Sequence, residues 1–153
     1  MTVSVSAEVL EADAPAGVSV TGVSQNAEGW FEHGVEVTWE GAQTVRLDDA
    51  RFTHHLRSED GDLITLGRGC GFSVDEATDE LQFPCTADLQ LILVEPGMTH
   101  EYPVSIPSEA GSFRLQRGTY VVEEGIHWWQ QDNIDADPTD EGQFTIRLTY
   151  EVE

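Results

Sequence analysis

Apolar and polar residues alternate over most of this 153-residue chain, and that alternation restricts its fold more than any other feature. In the last segment Phe144, Ile146, Leu148, Tyr150 and Val152 occupy every second position. Successive side chains of a β-strand point to opposite faces of the sheet, so a period of two indicates a strand with one buried face. The pattern predicts an edge or outer strand of a sandwich.

Shorter stretches with the same period recur along the chain, separated by turns that contain glycine. Segment 88–94 differs because nearly every residue in it is apolar, which predicts the most central strand of a sheet. We therefore expect one domain over residues 1–153, an all-β, Ig-like Greek-key antiparallel β-sandwich of about eight or nine strands. The alternating stretches lie at 3–9, 18–20, 35–39, 45–47, 52–56 and 102–106.

One short segment has features of a helix. Ser73 and Glu76 have the spacing of a capping box, and Val74, Ala77 and Leu81 fall on one helical face. The length of the segment allows at most one short helical turn. No other segment repeats apolar residues at helical spacing over three turns, so a parallel sheet with crossover helices is disfavoured.

Acidic residues outnumber basic ones, 29 against 7, which gives a formal net charge of −22, and every basic residue is an arginine. Mutual repulsion of these charges destabilises the folded state at low salt, whereas in molar salt the Debye length falls to about 3 Å. The composition resembles that of proteins from halophilic archaea and their viruses. An acidic protein from a mesophile with a GC-rich genome is the alternative.

The charge also excludes classes of partner. A surface this negative repels phosphate, so we expect neither a nucleic-acid partner nor an anionic lipid surface. No apolar run approaches the ~20 residues of a membrane-spanning helix, and the N-terminal segment lacks the basic and apolar regions of a signal peptide. We expect protein partners instead.

The segment 115–120 resembles the tyrosine corner of Greek-key sandwiches. In that motif a tyrosine near the start of a strand folds back, and its hydroxyl binds a backbone group a few residues upstream. Leu115 begins the segment, Gly118 allows the bend, and Tyr120 is the candidate tyrosine. A buried tyrosine after an unrelated turn is the alternative.

A second motif, Leu93–Thr99, contains a Pro-Gly pair typical of a type II turn. The stretch Leu93–Tyr102, together with segment 115–120 and the acidic glycine hairpin at Arg57–Asp62, resembles the Ig-like domain of the intracellular proteinase-inhibitor-like proteins of bacteria and archaea. The resemblance covers about a third of the chain and implies a fold rather than an activity. The family's Trp-rich central segment has no counterpart between Leu63 and Cys70.

The two cysteines, Cys70 and Cys85, lie on either side of segment 73–81. A disulfide between them would restrain the unfolded chain by roughly 3 kcal/mol in the loop-entropy model. It would also indicate an oxidising location such as a cell surface or a virion. Two buried free thiols in a cytosolic protein are the alternative, and a zinc site is disfavoured because no further ligands lie nearby.

The acidic segment 132–142 joins the last two expected strands. Its alternating carboxylates suit a Ca²⁺ or Mg²⁺ ion, which prefers oxygen ligands. The spacing departs from that of an EF-hand, and a solvated acidic loop is the simpler interpretation. We expect no other cofactor. The candidate ligands are Asp132, Asp135, Asp137, Asp140 and Glu141.

Two aromatic pairs are candidates for an interface: Trp30 with Phe31, and Trp128 with Trp129. Adjacent residues of a strand face opposite ways, so one tryptophan of the second pair must point away from the core. Aromatic anchors dominate the binding energy of many protein interfaces. Cover by a neighbouring loop is the alternative. A single exposed patch formed by both pairs would indicate a subunit interface.

Residues suited to catalysis are scattered. No hydrolase, zinc-protease or phosphate-loop motif is present, and the adjacent His54 and His55 are expected to face opposite ways. We therefore expect no enzyme.

The sequence favours a structural or interaction module of a homo-oligomer or larger assembly in a halophile. Its most concrete form is a virion component of a haloarchaeal virus, such as a capsid turret, decoration or tail protein. The alternative is an Ig-like binding domain of the proteinase-inhibitor-like class in a high-salt cytosol. A metal-dependent enzyme that uses the acidic segment is the third hypothesis.

Overall fold

A computed structural model describes residues 1–86, 91–130 and 140–153, without the side chain of Asp140. The described residues form strands and no helix, so they contain no helix that could cross a membrane. In chain order the strands are β1 (Val3–Val9), β2 (Ala16–Val20), β3 (Ser24–Gln25), β4 (Phe31–Trp39), β5 (Val45–Asp48), β6 (His54–Arg57), β7 (Asp62–Gly67), β8 (Ser73–Val74), β9 (Leu81–Gln82), β10 (Leu91–Val94), β11 (Thr99–Ile106), β12 (Glu109–Ala110), β13 (Phe113–Arg114), β14 (Gly118–Gln130) and β15 (Asp140–Val152).

Two antiparallel sheets hold most of these strands. The first sheet has the order β1, β15, β14, β5, β10, and the second has the order β2, β4, β11, β7, β6, with β3 paired to β4. Two small hairpins, β8 with β9 and β12 with β13, complete the described fold. The all-β prediction is confirmed. The Greek-key character stays a prediction. The described residues form fifteen strands, five of them only two residues long, against the eight or nine expected.

The last segment is central, which corrects the prediction of an edge or outer strand. β15 lies between β1 and β14 and pairs with both along most of its length. Its inward residues Phe144, Ile146, Leu148 and Tyr150 are fully buried. The alternating pattern therefore predicted the buried face of β15 correctly. It does not show how many strands β15 pairs with, because central and edge strands of a sandwich both bury one face.

The apolar segment 88–94 is not the most central strand. Its described part, β10, lies at the end of the first sheet, where Leu91 is 42% and Leu93 is 48% exposed. Residues 88–90 lie outside the described ones. The strand that is buried on both faces is β7, in which Leu63 to Gly67 are all buried. A hairpin covers the outer side of β7, since Phe83 in that hairpin packs near His55 of the neighbouring β6.

This covering hairpin corrects the expected helical turn at Ser73–Leu81. β8 pairs with β9 through Val74 and Leu81, so the segment forms a ladder and not a helix. Asp75 makes the turn instead of Ser73: its side chain accepts the amide of Ala77, and its carbonyl accepts the amide of Asp79. One such i to i+4 bond closes an isolated turn, which the capping-box spacing does not distinguish from a helix start.

A buried polar contact bridges the two sheets. His33 on β4 and Tyr150 on β15 are both buried, and the His33 Nε2 lies 2.9 Å from the Tyr150 hydroxyl. The other ring nitrogen lies 3.3 Å from the Gly34 carbonyl oxygen. The histidine therefore has a partner for each nitrogen inside the core. Nothing in the alternating pattern distinguishes this histidine from its apolar neighbours.

Candidate interaction surface

The alternation of β14 separates the two adjacent tryptophans. Trp128 points into the sandwich and packs against Trp39, with ring centroids 5.3 Å apart. Trp129 lies on the outer face of the first sheet and stacks on His127 at 4.3 Å, with the ring planes inclined by 7°. The two residues share that face because they are two positions apart on one strand.

Strand register places Trp129 in a row of outward side chains that crosses four strands. Trp129 lies opposite Glu141 of β15 on one side and opposite Arg46 of β5 on the other. Arg46 in turn lies opposite Leu93 of β10. With strands about 4.8 Å apart, the row spans about 14 Å. We call Leu91, Leu93, Arg46, His127 and Trp129 the outer patch.

The outer patch includes the end of a sheet. Among the described residues β10 pairs only with β5 and is the last strand of this sheet. Proteins commonly protect such edges with charged residues. The four residues of β10, Leu-Ile-Leu-Val, carry no charge. The opposite end of this sheet differs, because β1 carries Glu8, which forms an ion pair with Arg147.

Two acidic residues border the outer patch, Asp48 beside Leu91 and Glu141 beside Trp129. Burial, together with the nearby Asp49 carboxylate, raises the pKa of Asp48, the residue opposite Leu91. Nε2 of His127 lies 3.4 Å from a carboxylate oxygen of Glu141. Within the described part of the chain, the buried Nε of Arg46 has no hydrogen-bond partner. Arg46 therefore places a guanidinium between the apolar side chains, with its Nε shielded from solvent.

The other aromatic pair lies elsewhere. Phe31 is buried at the start of β4, and the half-buried Trp30 packs against Phe72 with ring centroids 5.4 Å apart. Trp39, the partner of Trp128, is at the other end of β4. Eight residues separate it from Phe31, and at about 3.3 Å per residue the two lie ~26 Å apart along the strand. The two aromatic pairs therefore do not form one patch.

The tyrosine-corner motif has the geometry that defines it. The Tyr120 hydroxyl donates to the carbonyl oxygen of Gln116 at 3.1 Å. Gly118 has φ of 150°, and a Cβ there would approach Asp60 and the Tyr120 ring at 3.3–3.4 Å. Leu115 is buried, and its amide donates to the carbonyl of Ser108. These contacts fix the entry of the chain into β14.

The two cysteines form a disulfide, with the sulfur atoms 2.02 Å apart. Cys70 and Cys85 face each other in an antiparallel bridge, and backbone hydrogen bonds on both sides of it join Gly69 to Thr86 and Gly71 to Pro84. The bond therefore closes the hairpin that covers β7. A separate backbone hydrogen bond, from the Cys70 amide to the Gly67 carbonyl, joins the base of this hairpin to the end of β7.

The predicted ion-binding segment lies mostly outside the described residues. Asp132, Asp135 and Asp137 lie outside the described residues. Asp140 and Glu141 begin β15, paired with Gln130 and Trp129. The residues that the structure describes contain no group of three or more His, Cys, Asp and Glu suited to a metal. A Ca²⁺ or Mg²⁺ site in this segment stays a prediction.

Adjacent histidines on β6 face opposite ways, as predicted. The inward His54 lies 2.8 Å from the Glu124 carboxylate of the first sheet, and the outward His55 lies 3.4 Å from the Asp62 carboxylate. Each histidine therefore has a different acidic partner, and the two are not placed to share a ligand.

Comparisons with protein-family models, with curated proteins and with solved structures found no match for this chain. The interpretation of the surface therefore depends on its own chemistry. The sequence pointed to Trp129 but not to Arg46, Leu91 and Leu93. The absence of charge over residues 91–94 is the signal of an exposed apolar strand, but the same pattern is typical of a buried strand.

Proposed function

We propose that this chain is a non-enzymatic structural module that assembles with copies of itself in a high-salt medium. Its most concrete form is a virion component of a haloarchaeal virus, such as a capsid turret, decoration or tail protein. The outer patch carries the proposal, because an uncharged sheet edge with exposed leucines occurs on a chain with a net charge of −22. Exposed apolar edges of this kind are sites of strand pairing between chains.

A second copy suits the edge because β10 is self-complementary. If two β10 strands pair antiparallel about a two-fold axis at Ile92, Leu91 of each copy lies opposite Leu93 of the other. This pairing brings four outward leucines together and places no charge opposite a like charge. Molar salt supports it further, since screening reduces the repulsion between two acidic molecules.

The presence of a disulfide supports an extracellular or virion environment, because such bonds persist under oxidising conditions. The acidic surface supports a medium of high ionic strength, where its self-repulsion is screened. A high-salt cytosol is the alternative location.

Light scattering after size-exclusion chromatography in molar KCl tests the proposal. The wild-type chain should elute at a multiple of the 16.9 kDa monomer mass, and Leu93→Glu should reduce it to a monomer. Val121→Glu is the matched control. Val121 is 49% exposed on the outer face of β14, against 48% for Leu93, and it lies away from β10. Its variant should keep the wild-type mass.

A wild-type chain that stays monomeric at every concentration would overturn the proposal, and so would an equal loss of mass in both variants. A monomer that inhibits proteases in a direct assay would instead support the alternative binding domain of the proteinase-inhibitor-like class.

A further inference from the structure

A cleft at one end of the sandwich, on the inner side of β14, has the properties of a small-ligand site. Its volume is about 410 Å³, within the usual range for such sites. Trp39 and Trp128 line it, with their ring planes inclined by 56°. Asp13 and Gln43 contribute polar groups. Because Trp39 is only 2% exposed, the accessible aromatic wall is that of Trp128, and a few polar atoms surround it.

Close backbone packing holds both indoles in place. The Trp39 Nε1 donates to the Gln43 carbonyl oxygen at 2.8 Å. A Cβ at Gly41 would lie 2.5 Å from the Trp39 ring, and one at Gly142 would lie 2.7 Å from the Trp128 ring. A glycine therefore leaves the space that each ring occupies. Preorganised rings lose little conformational freedom when a ligand binds.

Charge selects the class of ligand. Asp13 is the charged residue of the cleft lining, and no described lining residue is cationic, because the Arg46 side chain points to the opposite face of the sheet. The chain as a whole has a net charge of −22. These charges disfavour an anion. The face of an indole attracts cations, and tryptophan does so most strongly of the aromatic residues.

Salt restricts the cation further. In molar KCl a compact, strongly hydrated ammonium gains little from an exposed carboxylate, because the interaction is screened and potassium competes for it. A methylated cation also buries apolar surface against the indoles, and salt does not weaken that contribution. We propose that the cleft binds a small quaternary ammonium compound, with its trimethylammonium group on the exposed part of Trp128.

Choline chloride is the probe, titrated in molar KCl with tryptophan fluorescence and calorimetry as readouts. The neutral alcohol 3,3-dimethylbutan-1-ol has the same shape without the charge. Choline should bind saturably, and the neutral analogue should bind at least about tenfold more weakly. Absence of saturation with choline, or equal affinity for the two compounds, would overturn the proposal.

Variants locate the site. Trp128→Ala should weaken choline binding about tenfold, and Trp128→Phe, which keeps an aromatic ring, should weaken it less. Gly142→Ala should also weaken it by displacing the Trp128 ring. Trp30→Phe is the control, since Trp30 packs against Phe72 away from the cleft. With circular dichroism confirming the fold of each variant, wild-type affinity in both Trp128 variants would contradict the assignment.

Discussion

At the scale of single residues, the burial of His33 makes stability depend on pH. Burial lowers the pKa of His33, against a smaller opposing effect of the Gly34 carbonyl. The unfolded chain therefore takes up the proton at a higher pH than the folded one. The stabilisation is fully present above the ordinary histidine pKa of about 6.5 and is lost as the pH falls below it toward the lowered value.

Denaturant unfolding at several pH values between about 7.5 and about 5.5 checks this expectation. As the pH is lowered, the free energy of unfolding should decrease more steeply for the wild type than for His33→Gln. His100, whose pKa burial also lowers, contributes to both proteins and cancels in the difference. Equal slopes for the two proteins would show that His33 does not titrate in this way.

At the scale of elements, the disulfide fixes the hairpin that covers β7. Opening the Cys70–Cys85 bond should lower the free energy of unfolding by about 3 kcal/mol, the loop-entropy value for a closed loop of this length. Oxidised wild type and Cys70→Ala/Cys85→Ala should be compared in the same salt. Two reactive thiols in the denatured, unreduced wild-type protein would show that the bond does not form.

Most strands of the fold could be predicted from the sequence, but their neighbours could not. Alternation identified the buried face of β15 correctly, since burial of every second residue leaves a direct trace in the chain. Alternation misplaced β15, and the continuous apolar run misplaced β10, because strand order is set by pairings between distant segments. The Ser73–Glu76 pattern failed for a related reason: the Val74 and Leu81 pairing outweighs a local preference for a helix start.

The candidate site was predictable only in part. The adjacent tryptophans Trp128 and Trp129 predicted one outward ring, because neighbouring residues of a strand point to opposite faces. The residues beside that ring in space, Arg46 and Leu93, come from other strands, and only the register brings them together. The position of Trp39 beside Trp128 in the cleft could not be predicted for the same reason.

At the scale of the whole molecule, charge repulsion and local ion pairs respond to salt in opposite ways. Arg147 contacts Glu8 and Glu123 across three strands at 3.4 and 2.7 Å, and exposed pairs of this kind contribute little to stability. With 29 acidic and 7 basic residues, repulsion is the larger effect. The melting temperature should therefore rise as KCl increases toward molar concentrations. Full stability at low ionic strength would contradict adaptation to salt.

The most direct test of assembly through β10 is backbone hydrogen exchange in molar KCl, measured on dilute and concentrated samples of the intact protein. Pairing with a second copy should slow exchange over Leu91–Val94 as the concentration rises, and Leu93→Glu should abolish that slowing. Exchange over this segment that is the same at both concentrations would show that β10 does not bind another chain.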